Sequence, residues 1–201
     1  MEALACVGHP AIRNRGTVGG SIAHADPAAE LPAVAVALDL EVVAASVRGR
    51  RVVPARDFFL GPYTTALDAD ELLLELRIPP RRPGTGHACT GHAWLEAARR
   101  HGDFALVGAA ASLTLDASGR VAEVRLVLSG VGPVPVEASK LGAQLVGRQP
   151  TGETIAAVAR EVAERCDPRS DVHASATTRR RIARALIRRA LEQAAAKAED
   201  A

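Results

Sequence analysis

The apolar positions of this 201-residue chain change their spacing several times, and each change marks an element. Glu30, Leu31, Val34 and Leu38 fall at helical intervals. Asp26-Pro27 just before them supplies an N-cap with proline at the first helical position, where its missing N–H costs nothing. The spacing predicts a helix from there through Leu38. "LEVVAASVRGRRVVPARDFF" (40–59) reads as a strand, a turn around Gly49, a second strand and a break at Pro54. "DELLLELRIPP" (70–80) is a further strand closed by Pro79-Pro80. "RRPGTG" (81–86) offers nothing to bury and reads as a linker. Beyond it, "HAWLEAARR", "FALVGAAASLTLD" and "RVAEVRLVLSGVG" predict three strands, the last two joined by the short connection Ala117-Ser118-Gly119. His101-Gly102-Asp103 reads as the turn between the first two. The rest is helical in pattern, at about 138–146, 151–166 and 175–196. The expected architecture is α+β, in two units that divide near residue 83.

Composition narrows the class without naming a function. Apolar residues make up 48% of the chain and charged residues 24%, which suits a globular protein with a real core. The formal net charge of +2 demands no acidic partner and argues against nucleic-acid binding. Three isolated cysteines, Cys6, Cys89 and Cys166, imply no disulfide framework and fit a reducing, cytoplasmic setting. No signal-peptide h-region and no apolar run of membrane-spanning length is visible in the pattern.

One short cluster stands apart chemically. "RGTVGGS" places Gly16, Gly19 and Gly20 beside Thr17 and Ser21, with Asp26 and Glu30 following. Paired glycines let a ligand approach bare N–H groups, and consecutive N–H groups favour an anion such as phosphate. The acidic residues could accept hydrogen bonds from sugar hydroxyls. The spacing matches neither G-x-G-x-x-G nor the P-loop pattern, so composition alone favours a simple glycine-rich turn entering a helix and only suggests the phosphate.

Taken in order, "VGHPAIRNRGTVGGSIAHADPAAELPAVAVAL", "DFFLGPYTTALDADELLLELRIP", "ARRHGDFALVGAAASLTLD", "LSGVGPVPVEA" and "DVHASATTRRRIARALIRRAL" resemble the flavoprotein (medium) subunit of the carbon monoxide dehydrogenase and xanthine dehydrogenase family. The resemblance covers nearly the whole chain. It implies an FAD-binding domain of two lobes (PCMH-type), followed by a C-terminal domain with a three-stranded antiparallel sheet and a helical bundle. On this chain the second lobe falls on residues 1–82 and the C-terminal domain on 86–196. The second diphosphate motif of the family falls on Thr17, Val18, Gly19 and Gly20, with Ser21 next. The acidic FAD contact falls on Glu30, with Asp26 as a neighbouring polar contact. A leucine beside the flavin ring falls on Leu73, which would otherwise read as strand core.

The resemblance also implies two departures. A first diphosphate motif of the A-G-G type is expected well upstream, yet sixteen residues precede Thr17 and contain nothing of the kind. The expectation is that the first lobe is absent, through a late start, a truncated gene model or a separate polypeptide, leaving apolar surface uncovered near residues 4–22. A lysine common in the family shortly before the Arg-Arg pair is replaced here by Leu95 and Glu96 ahead of Arg99-Arg100.

The function implied is that of an FAD-binding electron-transfer subunit of a molybdenum hydroxylase. Its partners would be a molybdenum-binding large subunit and an iron–sulfur small subunit. The alternative is a flavin-free assembly module that docks on those partners. Other constellations are weaker. His87, Cys89 and His92 lack a fourth ligand and zinc spacing. The helix "TTRRRIARALIRRALEQ" carries Ile182, Leu186 and Ala190 on one stripe, with Arg179, Arg180, Arg184 and Arg188 around the other side. That reads as a solvated face or a subunit contact more than as a nucleic-acid surface, since no aromatics interleave. Ser112, His101 and Asp103 do not make a catalytic triad.

Overall fold

The computed structural model describes residues 1–80 and 89–200. The expected linker at 81–86 lies outside these described residues, as does His87. Helices α1 (Glu2–Cys6), α2 (Pro10–Arg13), α3 (Val18–His24) and α4 (Glu30–Ala37) precede strands β1 (Glu41–Ser46) and β2 (Gly49–Pro54). Helix α5 (Ala55–Phe58), the short strands β3 (Phe59–Gly61) and β4 (Thr64–Thr65), and strand β5 (Leu72–Arg77) complete the first half. Strands β6 (Cys89–Ala98), β7 (Ala105–Leu115), β8 (Val121–Ser129) and β9 (Val136–Glu137) follow, then α6 (Ser139–Gly142), a 3-10 turn at Ala143–Leu145, α7 (Gly152–Arg165) and α8 (Ala176–Glu199).

Two larger antiparallel sheets organise these elements, beside the small two-stranded pair β3-β4. In the first the order is β2-β1-β5, with β1 and β2 joined through the turn at Val47-Arg48. In the second the order is β6-β7-β8-β9. The three long strands of the second sheet are those the alternation predicts. The two-residue β9 adds a fourth at the edge, too short to leave a periodic signal of its own.

The larger sheet is covered on both faces, and its alternation shows it. Val107, Ala109, Ala111, Leu113 and Leu115 of β7 pack with α7 and α8 in one buried cluster. Ala110 of β7, Trp94 of β6 and Val127 of β8 instead join Ala3, Ile22, Ala33, Val36 and Phe58 in a second cluster on the opposite face. A strand buried on both sides has no polar face to keep, which is why "ALVGAAASLTL" reads as almost continuously apolar. The two halves therefore share one sheet as a common wall, α1 and α4 on one face and the C-terminal helices on the other.

Local chemistry corrects several boundaries. The expected N-cap at Asp26 is not one: Asp26 Oδ1 accepts the Ala28 N–H at 2.8 Å, closing a turn. Helix α4 starts at Glu30, with Ala29 at its N-cap and Pro32 in the first turn, where proline is tolerated. The predicted helix at 138–146 is two short pieces, the α-helical turn α6 tightening directly into the 3-10 turn at Ala143–Leu145. Arg179, expected on a solvated face, is buried. Its guanidinium donates to the carbonyls of Leu106 and Gly130 and to Asp171 Oδ2. The surface expected to be uncovered near residues 4–22 is present, with Leu4, Ile12 and Val18 exposed by 45%, 56% and 52%.

Candidate functional site

The glycine cluster forms the N-terminus of helix α3. Thr17 is the N-cap, with extended backbone, and its Oγ1 accepts the Gly20 N–H at 2.9 Å. The Ser21 N–H donates to the Thr17 carbonyl at 3.1 Å. The N–H groups of Val18 and Gly19 fall in the first turn, where a helix offers no internal acceptor. They add to the positive end of the helix dipole.

Each glycine has its own steric reason. A Cβ on Gly20 would stand 2.8 Å from Thr17 Oγ1 and push the cap aside. A Cβ on Gly19 would meet only Leu73 Cδ2, at 3.5 Å, so glycine keeps the space above Leu73 open. Leu73 itself is half-buried and packs against the second cluster, so it serves both as strand core and as a wall beside the glycines. Strand β5 bulges at Leu74, between the pairs Ala44↔Leu73 and Val43↔Glu75. The bulge leaves Leu72 and Leu74 exposed by 75% and 51% on the same edge.

Behind α3 the chain makes a strained turn. Ala25 and Tyr63 both hold positive φ, 53° and 56°, and the Tyr63 N–H donates to the Ala25 carbonyl at 3.0 Å. Non-glycine residues in this region need the surrounding structure to hold them there. The Tyr63 hydroxyl donates to Asp26 Oδ2 at 3.3 Å, and the charge of Asp26 raises the tyrosine above its usual range. The His24 ring lies 5.0 Å from that of Tyr63. Asp26 and Glu30 are buried, at 8% and 7% exposure. Burial, with a smaller contribution from Asp26, holds Glu30 above the ordinary glutamate range, against the pull of its own backbone N–H.

Sequence reasoning missed Tyr63, Trp94, Glu96 and Cys6 in this neighbourhood. Glu96 on β6 is pushed up to about 7, first by burial and then by the charge of Glu30, although Trp94 and Cys6 pull the other way. Cys6 on α1 is raised, chiefly by burial and then by Glu96. The usable signal was the alternation in "WLEAA": Trp94 and Glu96 share the face that meets the N-terminal half, while Leu95 and Ala97 face the other cluster. Among the described residues no group of three or more His, Cys, Asp or Glu could hold a metal ion.

These shifts set the pH dependence of stability. Glu71 is held down at about 2 by Arg51 and the Asp68 N–H, and Glu2 is lowered by Lys197, so acid below pH 4.5 costs stability. Glu96 works in the opposite sense. Between 4.5 and about 7 the folded chain keeps a proton that the unfolded chain has lost, so stability falls as pH rises through that window. The melting temperature is therefore expected to peak near pH 5 and decline toward pH 7, as thermal unfolding across pH 3–8 would read it.

Comparison with known proteins places the whole chain. Residues 1–81 match the family model of the FAD binding domain in molybdopterin dehydrogenase, and residues 92–194 match the CO dehydrogenase flavoprotein C-terminal domain. The chain is 38% identical over 193 residues to the 6-hydroxypseudooxynicotine dehydrogenase complex subunit alpha of Paenarthrobacter nicotinovorans, covering 96% of this chain and 64% of that one. It is 34% identical over 194 residues to the carbon monoxide dehydrogenase medium chain of Hydrogenophaga pseudoflava, covering 96% of this chain and 65% of that one. The chain thus spans about two-thirds or slightly less of the length of these relatives. The solved quinoline 2-oxidoreductase of Pseudomonas putida 86 superposes with a TM-score of 0.89 at 40% identity, over 98% of this chain and 66% of that one. A carbon monoxide dehydrogenase of Hydrogenophaga pseudoflava superposes with a TM-score of 0.90 at 36% identity, over 98% of this chain and 67% of that one. No helix among the described residues is long and apolar enough to cross a membrane. The chain belongs to the flavoprotein medium-subunit family of carbon monoxide dehydrogenase type, which joins an FAD-binding domain of the molybdopterin dehydrogenases to a CO dehydrogenase flavoprotein C-terminal domain.

Proposed function

We propose that this chain is the FAD-binding, electron-transfer part of a molybdenum hydroxylase. In this reading residues 1–82 form one lobe of the FAD domain and residues 86–196 the C-terminal domain. Partners are a molybdenum-binding large subunit and an iron–sulfur small subunit, in the cytoplasm. Bound FAD supplies the redox chemistry, taking electrons from the iron–sulfur clusters and handing them to an external acceptor. The observation that carries the reading is the α3 turn, where Val18 and Gly19 offer N–H groups at a helix N-terminus and Gly19 leaves open space against Leu73.

Each residue has a role in this reading. Thr17 holds the turn closed through its cap, for which Gly20 leaves room, while the Val18 and Gly19 N–H groups and the Ser21 hydroxyl bind one side of the FAD diphosphate. Leu73 is the apolar wall for the ring system. Asp26 and Glu30 are buried acceptors for hydroxyl or N–H groups of the cofactor. Tyr63 positions Asp26.

A titration of the full chain with FAD, followed by quenching of flavin fluorescence, tests this. Saturable binding is expected. Gly19→Val, which fills the space above Leu73, is expected to weaken it about 100-fold, the loss of one or two charge-assisted hydrogen bonds. Gly152→Val, at an open position, is the control and leaves affinity unchanged. Absence of binding by the folded wild-type chain would reject the reading for this chain.

A further inference from the structure

Helices α7 and α8 leave a groove of about 300 Å³ between them, lined by Ala156 and Ala159 of α7 and by Arg181, Arg184, Ala185 and Arg188 of α8. Positions 181, 184, 185 and 188 are spaced i, i+3, i+4 and i+7, so they share one face of the helix. The three arginines are exposed, and their row runs about 10 Å along the helix axis.

Like charges stacked at these intervals destabilise a helix unless something answers them. Little in this chain does. Arg188 meets Glu192 at 3.8 Å, a loose and exposed pair. Arg181 and Arg184 have no carboxylate within ion-pair distance among the described residues. Their neighbours on the same helix are served, Arg179 by Asp171 and Arg180 by Asp167. Helix α7 has carboxylates but does not offer them here. Its Glu161 is held by Arg165 and Gln144, each at 2.8 Å, and the positions it gives to the groove are alanines.

The residue types restrict what can lie in the groove. An alanine floor lets another backbone approach to the short end of helix–helix spacing, about 8 Å. A free phosphate would engage one or two guanidinium groups and leave that floor in water. Nucleic-acid bases would find no aromatic surface to stack on. A lipid surface would find no bulky apolar side chain to take up. An α-helix with Asp or Glu at the same intervals answers the whole row and covers the alanines together.

We propose that the α7–α8 groove is the docking site for an acidic amphipathic helix of a partner protein, its carboxylates paired with Arg181, Arg184 and Arg188 and its small residues seated on Ala156, Ala159 and Ala185. Arginine–carboxylate forks fix geometry as well as strength, so the row sets the partner's register. The C-terminal helices cover the sheet face opposite α1 and α4, so a partner held here leaves the α3 turn open. The docking is independent of whether the chain holds FAD.

The probe is a fluorescein-labelled, alanine-based peptide of about 20 residues, long enough to be helical, with Glu at i, i+4 and i+7 on one face. Its control carries Gln at those positions. Fluorescence anisotropy with the full chain at low salt is expected to show saturable binding of the Glu peptide and about tenfold weaker binding of the control. Arg181→Glu combined with Arg184→Glu, with the circular dichroism spectrum unchanged, is expected to lose about tenfold and to gain binding of a peptide with Lys at the same positions. Ala185→Phe fills the groove without altering any charge, and is expected to weaken the Glu peptide by a similar factor. A Glu peptide that binds Ala185→Phe as tightly as the wild type, or that its Gln control equals, overturns the proposal. Failure of the Glu peptide to bind the folded chain overturns it as well. Binding of pyrophosphate or of phosphatidylserine vesicles in its place would assign the row to a small anion or to a lipid surface.

Discussion

Replacing Gly91 by Ala is expected to destabilise the chain by about 3 kcal/mol and to lower its melting temperature by roughly 10 °C. Gly91 lies on β6 beneath α8. A Cβ there would overlap the carbonyl oxygen of Ala194 and stand 2.7 Å from the Ala198 nitrogen. These are backbone atoms, so no side-chain rotation relieves the clash. The helix must lift off the sheet, and Ala183, Ala190, Ala194 and Ala198, each at most 1% exposed, would lose their contacts along the seam. Gly152→Ala serves as the comparison, since nothing lies within 4 Å of the added atom. Thermal and urea unfolding of both variants measure the difference.

Arg179→Met is expected to cost a similar amount, about 3 kcal/mol, by leaving buried carbonyls without donors. The guanidinium joins the N-terminal turn of α8 to the Leu106 carbonyl at the start of β7 and to Gly130 at the exit of β8. Gly130 holds φ at 74°, and its own N–H donates to the Pro27 carbonyl at 2.9 Å. Arg179 therefore reaches, through one loop, the turn that carries Asp26. The same variant is expected to speed hydrogen exchange at the Gly130 amide beyond the global loss of stability. Arg179→Lys is expected to rescue little, because an ammonium cannot reproduce the fork that meets two carbonyls and Asp171 at once.

The strands were legible in the sequence because alternation and hairpin turns are local signals. The turn at Ala117-Ser118-Gly119 behaves as its residues predict, with Asp116 Oδ1 accepting both the Ser118 and Arg120 N–H groups. Helix α3 was not legible. Two consecutive glycines cost roughly 1 kcal/mol each in a helix, so propensity points away from one, and only the Thr17 cap and the packing of Ile22 hold it. Asp26-Pro27 misled for a related reason. The pair has the residues of a helix start, but the Asp26 carboxylate is shared between the Ala28 N–H and the hydroxyl of Tyr63, thirty-seven positions away. The glycine loop was marked by its own residue types. The partial burial of Glu96 was not, since it depends on how α1 packs onto β6 in three dimensions.

The bond between Glu2 and Lys197 ties together positions 195 residues apart in the chain. Both side chains are nearly half exposed, at 47% and 46%, so the clasp is screened by added salt and worth little by itself. Helix α1, five residues long, is thus a latch at the margin of the fold. Because buried Ala3 also seats the helix, Ala3→Asp together with raised ionic strength should let it swing away well before the sheet melts, wetting the chain's single tryptophan at position 94. The visible sign would be a red shift in intrinsic fluorescence at constant far-ultraviolet circular dichroism, together with a new protease-sensitive point near Val7-Gly8.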